Sequence, residues 1–252
     1  MDRPDTIVTF DLGQSETIET EDELRSALAD AYHLFAKWGW TELIFNHITV
    51  RLPGPDHHFL INPFGLLFEE VTPENLVKIN LQGEPVSPTA YAVNPAGFII
   101  HAAIHANRPD ALCVMHTHTI AGMAVAQLAE GIVANNFQAM QLQGRVGYHP
   151  FEGITTKPDE QARIVAALGN NSVLVLRNHG LLSVGRTIGE ALAWLFAAEK
   201  ACEIQIAAAS TGRPQTQPDD AILANVRQQV DSLMQLGPKL FDTIFAALRR
   251  TL

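Results

Sequence analysis

Apolar positions recur along this chain at two spacings, and their alternation predicts helices set before, between and after short strands. Thr20 with Glu23 forms a capping box, and Leu24, Ala27, Leu28, Ala31, Leu34, Phe35 and Trp38 follow at helical spacing until Gly39 stops the run. Residues 44–50 and 59–61 read as strands, with Pro53-Gly54-Pro55-Asp56 turning between them. Thr72 and Pro73 open a short helical turn ahead of a strand at 76–79, and Asn94 with Pro95 caps and starts a helix that runs to Asn107. Leu112-Cys113-Val114-Met115 and Val173-Leu174-Val175-Leu176 are continuous apolar runs of strand length, and 181–184 reads as a strand returning from the second. Residues 119–128 and 158–168 read as helices packed on the sheet, the latter ended by Gly169. A second capping box, Thr187 with Glu190, starts a long helix whose apolar face carries Ile188, Ala191, Leu192, Leu195, Cys202 and Ile206. Gly212-Arg213-Pro214 ends it, and helices follow at 219–236 and 238–248. Between 129 and 157, Gly144, Gly147, Pro150 and Gly153 indicate loops and short strands. The pattern is that of an α/β protein whose sheet is covered on both faces.

Length then sets the domain count: 252 residues with 47% hydrophobic content suit one large core. Residues 1–19 read as a loosely attached arm, 20–212 as the main domain, and 213–252 as a C-terminal helical extension packed on that domain, joined by a Pro/Gln/Thr-rich linker. The net charge of -10, without a basic cluster, argues against nucleic acid and anionic membranes as partners. No stretch approaches the ~18 apolar residues of a spanning helix, and Met1-Asp2-Arg3-Pro4-Asp5 leads into no signal-like segment. Cys113 and Cys202 both lie in apolar surroundings and read as reduced core residues. The expectation is a cytoplasmic protein.

Three histidines carry the candidate chemistry. His116 and His118 end the apolar run at 112–115, and residues two apart on a strand project to one face. His179, in Asn178-His179-Gly180, sits where the chain turns after the second buried run. Three neutral imidazoles brought together at two strand ends make a transition-metal site with room for water or substrate. The plain alternative is packing, with His179 capping a strand end; against it, burying several imidazoles without partners is costly, and a shared cation is their simplest partner. No spacing rule places the two strands side by side.

Further stretches extend the picture: Gly39-Trp40, Asn46-His47-Ile48-Thr49-Val50-Arg51, Phe59-Leu60-Ile61-Asn62-Pro63-Phe64-Gly65, Asn94-Pro95-Ala96-Gly97-Phe98, Arg108-Pro109-Asp110, His116-Thr117-His118 and Arg177-Asn178-His179-Gly180. On these residues the chain resembles the class II aldolase/adducin family over roughly residues 20–212, closest to the adducin head domain and its bacterial relatives. The resemblance implies a three-layer α/β/α sandwich around a mixed, largely antiparallel sheet. It implies a homo-oligomer, commonly a tetramer, with active sites between subunits and a small-molecule substrate. It also places the family's metal-binding histidines on His116, His118 and His179, with one divalent ion per subunit, zinc ahead of manganese or iron.

The same resemblance exposes departures. The aldolases' metal-touching general base, a glutamate, falls on Gly97, four residues before His101. Their phosphate cradle falls on Asn46, His47, Phe64, Gly65, Pro95 and Ala96, without the serine hydroxyls and with one amide donor lost to proline; Asn62 and Gly97 complete the candidate substrate-binding set. The tyrosine that some relatives lend from a neighbouring subunit falls near Phe137. These losses imply a substrate without phosphate, since each hydrogen bond to a charged group contributes ~1.5–3 kcal/mol. His47, His101, Tyr148 and His149 are the remaining candidates for acid or base. Two functions stay open: a metal-dependent carbon–carbon lyase, of decarboxylase or aldolase type, and a non-catalytic oligomerising or binding module of the adducin kind. A structural metal clamp is a third.

Overall fold

The computed structural model describes residues 20–153 and 158–252, so the arm read at 1–19 lies outside the described residues. Seven strands form one sheet: β1 (Ile48–Arg51), β2 (Phe59–Ile61), β3 (Val77–Ile79), β4 (Cys113–Thr117), β5 (Val146–His149), β6 (Val173–Leu176) and β7 (Gly180–Gly185). Their order is β3-β2-β1-β4-β7-β6-β5, antiparallel throughout except for the parallel pair β5 and β6. The helices are α1 (Glu21–Trp38), α2 (Pro95–Asn107), α3 (Ile120–Gln127), α4 (Phe137–Gln141), α5 (Pro158–Leu168), α6 (Ile188–Ala209), α7 (Asp220–Met234) and α8 (Lys239–Arg249). Strand alternation assigns the two layers. Cys113 and Met115 share a core with residues of α1 and α6, while Val114 shares one with Ile100 and Ile104 of α2 and Ile164 and Leu168 of α5. The result is an α/β/α sandwich around a mixed, largely antiparallel sheet.

Local chemistry accounts for most boundaries. The Thr20–Glu23 box is reciprocal, with Glu23 N donating to Thr20 Oγ1 at 3.3 Å and Thr20 N to Glu23 Oε2 at 2.9 Å. At α6 the box is only half formed. Thr187 accepts from Glu190 N, but the Glu190 carboxylate turns to Arg186 instead. The strand expected from residue 44 starts at Ile48, because a turn from Glu42 to Phe45 precedes it and Leu43 takes a left-handed φ of 50°. The expected helical turn at Thr72 forms as a single turn, with Leu76 N donating to Thr72 O at 3.3 Å and reciprocal Thr72–Asn75 hydrogen bonds closing it. The five-residue α4 lies inside the segment read as loops and short strands; it is capped by Asn136, whose Oδ1 accepts from Ala139 N at 2.9 Å, and is too short to show a period. Cys113 and Cys202 are free and buried. Among the described residues, no helix is long and apolar enough to cross a membrane.

Candidate metal centre

Pairing of β4 with β1 and β7 brings the histidines together. His116 lies on β4 with its side chain on the α2 face, and His118 follows one residue past the strand end. His179 belongs to the three-residue turn joining β6 to β7, where Asn178 holds φ 59° and His179 N donates to Leu176 O at 3.0 Å. Asparagine tolerates that left-handed conformation better than most residues. Gly180 lets the turn close: a Cβ there would fall 2.2 Å from Thr117 O and within 3.3 Å of ring atoms of His116 and His118. Any larger residue would force the turn away from the imidazoles.

The outer nitrogens decide which way the inner ones face. His116 Nδ1 lies 2.7 Å from Leu181 O, and His118 Nδ1 lies 2.7 Å from Glu42 Oε2. Carbonyl and carboxylate oxygens only accept, so both Nδ1 atoms carry hydrogen and both Nε2 atoms present lone pairs. Those two Nε2 atoms stand 2.7 Å apart, and His179 Nε2 is 3.3 Å from that of His116. Two lone pairs at that separation repel unless a positive charge lies between or beside them. Ligand nitrogens around a tetrahedral zinc, at ~2.0–2.1 Å from the ion, sit ~3.3 Å from one another, the separation of the His116 and His179 Nε2 atoms, and all three ligand atoms lie within 4.8 Å of one another. His116, His118 and His179 form the group of side chains fit to hold a metal among the described residues.

Burial keeps these rings uncharged. Desolvation pushes His179 down to about 4 and His116 well below the ordinary histidine value, with repulsion from neighbouring imidazoles adding to both. His118 is lowered by desolvation too, less so because Glu42 favours its charged form. Neutral imidazoles are the form that ligates metal.

The cluster opens into a cavity of about 430 Å³ whose lining includes Phe45, His47, Gly97, Ile100, Met123 and Phe151. Among the described lining residues there is no lysine or arginine, and the one carboxylate, Glu42, is engaged with His118. His47 thus reaches the cavity, its ring centroid 5.8 Å from that of His116. Gly97 lines it as well, in the first turn of α2.

Other candidates lie elsewhere. His101 is fully buried behind His47, their ring centroids 4.2 Å apart. Asn62 Oδ1 accepts from the Tyr32 hydroxyl at 3.0 Å, inside the fold. Gly65 makes a turn at φ 103° and does not line the cavity, and Ala96 is the second residue of α2. Tyr148 accepts from Ile132 N at 3.2 Å beneath the guanidinium of Arg177, and His149 pairs with the buried Glu160 at 3.2 Å. Both are committed to internal contacts. Asn46 is buried, and its amide nitrogen and oxygen both have no hydrogen-bond partner. Phe137 is 70% exposed at the start of α4 and does not line this cavity.

Two supporting residues escaped the sequence reading. Glu42 holds His118 across 76 positions of sequence, and nothing in its neighbourhood signals that partner. Glu199 was legible: it falls on the apolar stripe of α6, four residues after Leu195, where a carboxylate has no ordinary place. Its two oxygens accept from Thr117 and Thr119, the residues on either side of His118. Desolvation raises it to about 7, against the lowering effect of both hydroxyls.

Comparison with known proteins gives the family and the same fold. A family model described as the class II aldolase and adducin N-terminal domain matches residues 26–206. An aldolase II superfamily protein from Pseudomonas syringae has a solved structure that superposes with a TM-score of 0.82 at 42% identity, covering 92% of this chain and 94% of that one. L-fuculose 1-phosphate aldolase from Glaciozyma antarctica superposes at 0.79 with 29% identity, covering 95% and 96%. Alpha-adducin of Rattus norvegicus is 46% identical over 211 residues, 81% of this chain but 29% of its own length.

Proposed function

The chain belongs to the class II aldolase and adducin N-terminal domain family, and from that premise we propose a metal-dependent carbon–carbon lyase. Its substrate is a small carbonyl or carboxylate compound without phosphate. His116, His118 and His179 hold one divalent ion per subunit, zinc first, manganese or iron as alternatives. When bound, the ion draws electron density from a substrate carbonyl or carboxylate oxygen and lowers the pKa of bound water to ~7. The observation that carries this reading is the convergence of three Nε2 atoms, two with lone pairs fixed toward each other, at the edge of an open cavity.

The protein's own residues narrow the reaction. Gly97 offers no carboxylate, and Glu42 is held by His118. Retro-aldol cleavage requires a base for a hydroxyl proton, whereas loss of carbon dioxide from a keto acid requires an electron sink and a later proton donor. Decarboxylation therefore suits the site better. Family membership also supports a homo-oligomer, a tetramer by likeness.

The test is metal analysis of protein purified without chelator, followed by carbon dioxide release from a panel of unphosphorylated keto and aromatic carboxylic acids. We expect one ion per chain and release from at least one acid, abolished by chelation. Micromolar affinity for a sugar phosphate, with no release from the panel, would overturn the reading. A non-catalytic binding module is the second reading, favoured by the 46% identity to alpha-adducin. It predicts no stoichiometric ion.

A further inference from the structure

Position 97 and His47 are built around each other. A Cβ on Gly97 would fall 2.6, 2.8 and 3.0 Å from Cε1, Nδ1 and Nε2 of His47, so the imidazole fills the space where any side chain at 97 would begin. His47 is itself buried to 4% exposure yet lines the cavity beside the three-histidine cluster. Its Nδ1 faces Phe45 O at 3.5 Å, and the Gly97 backbone also favours a hydrogen on the ring; we take that hydrogen on Nδ1. The lone pair is then on Nε2, which is buried and has no hydrogen-bond partner. Buried acceptors of this kind are nearly always satisfied, so an unpartnered one at a cavity wall points to a missing donor.

The ring is held from behind by a chain of hydrogen bonds whose direction can be worked out. His105 Nδ1 must donate to Ala111 O at 2.9 Å, which leaves its Nε2 as an acceptor for the Thr49 hydroxyl at 2.8 Å. Thr49 Oγ1, having given its hydrogen to His105, accepts from His101 Nδ1 at 2.7 Å. His101 is thereby fixed in one tautomer, and its ring packs 4.2 Å from that of His47. Every ring in this stack is buried and neutral, desolvation holding His105 down to about 3 and His47 to about 4. No proton is free to move along the chain at neutral pH; it orients.

We propose that His47 Nε2 is a ligand-contacting acceptor, taking a hydrogen bond from a hydroxyl of a compound anchored at the three-histidine cluster. The class is an unphosphorylated hydroxy-carboxylate or hydroxy-carbonyl compound whose hydroxyl neighbours the anchored oxygen. This assigns to a histidine on the β1 side the contact that a side chain at 97 cannot make. It rests on the metal reading above, and it goes further by naming the acceptor and the group that the acceptor recognises.

The probes are glycolate and methoxyacetate, which offer the same pair of oxygens but differ in one O–H. Each is titrated into cobalt-loaded protein and read from the visible absorption of the ion. The wild type should bind glycolate about tenfold more tightly than methoxyacetate, the scale of one hydrogen bond to a charged or polarised group. His47→Leu should still give a cobalt spectrum but lose the preference, and His47→Gln, which keeps an acceptor oxygen, should retain part of it. Equal affinity for both probes in the wild type, or an undiminished preference in His47→Leu, would overturn the proposal while leaving the metal reading intact. Failure of the wild type to take up cobalt at all would overturn both.

Discussion

The two sides of the cavity differ in how completely the protein satisfies itself. On the β4–β7 side, the outer nitrogens of His116 and His118 are tied to Leu181 and Glu42, and the inner ones meet at a point. On the β1–α2 side, Asn46, His47 and His101 all keep buried polar atoms without protein partners. The proposed reading puts a cation on the first side. On the second, only His47 of these three lines the cavity, interlocked with Gly97. The difference teaches that, under the proposed reading, metal capture and substrate choice rest on separate walls of the cavity.

The largest effect expected to probe both walls together is on acid stability of metal-free protein. His47, His179 and His105 have folded values of about 4, about 4 and about 3, and His101 and His116 lie well below the ordinary value. Because the folded values are depressed, the unfolded chain binds protons first, so stability is intact above ~6.5 and falls as pH drops toward 4 and 3. Each such group contributes up to ~1.4 kcal/mol per pH unit. Glu199, raised to about 7, and Asp242, raised by desolvation, act oppositely, two carboxyls against six histidines once His118 is included. Urea unfolding at pH 7, 6, 5 and 4 should show a monotonic loss below 6; a flat profile would break the claim that these rings are buried neutral.

Next in size, His179→Ala should weaken metal binding by roughly a hundredfold or more, since one of three protein ligands is removed. Competition with a chromophoric chelator measures this, and unchanged affinity would dismiss the cluster. On the other wall, Thr49→Val should cost ~1–3 kcal/mol by leaving ring nitrogens of His101 and His105 unpartnered. It should spare metal affinity, a split readable from thermal unfolding and chelator competition on the same sample. Glu42→Ala should lower metal affinity about tenfold, as loss of a carboxylate behind a ligating histidine does. If Thr49→Val weakened the metal more than Glu42→Ala did, the separation of the two walls would fail.

Much of the scaffold was legible because it rests on local rules. The Thr20 box, the Asn94-Pro95 start and the apolar runs at β4 and β6 each depend on neighbours within a few residues, and each element formed where its residues pointed. Legibility failed where the deciding partner was remote. The strand expected from 44 was cut short at Ile48 by a turn, and Glu190 left its capping role for Arg186. Tyr148 and His149 carry reactive side chains, yet packing against Arg177 and Glu160 engages both.

By itself the sequence determined the helices, the buried strands, and the shared face of His116 and His118, because period and alternation follow from backbone geometry alone. That His179 joins them was decided by the β4–β7 pairing, in which Thr117 lies opposite Leu181. That Gly97 makes room for an imidazole was decided by α2 docking over the end of β1. Convergence of side chains from distant segments is a property of packing, and no local pattern encodes it.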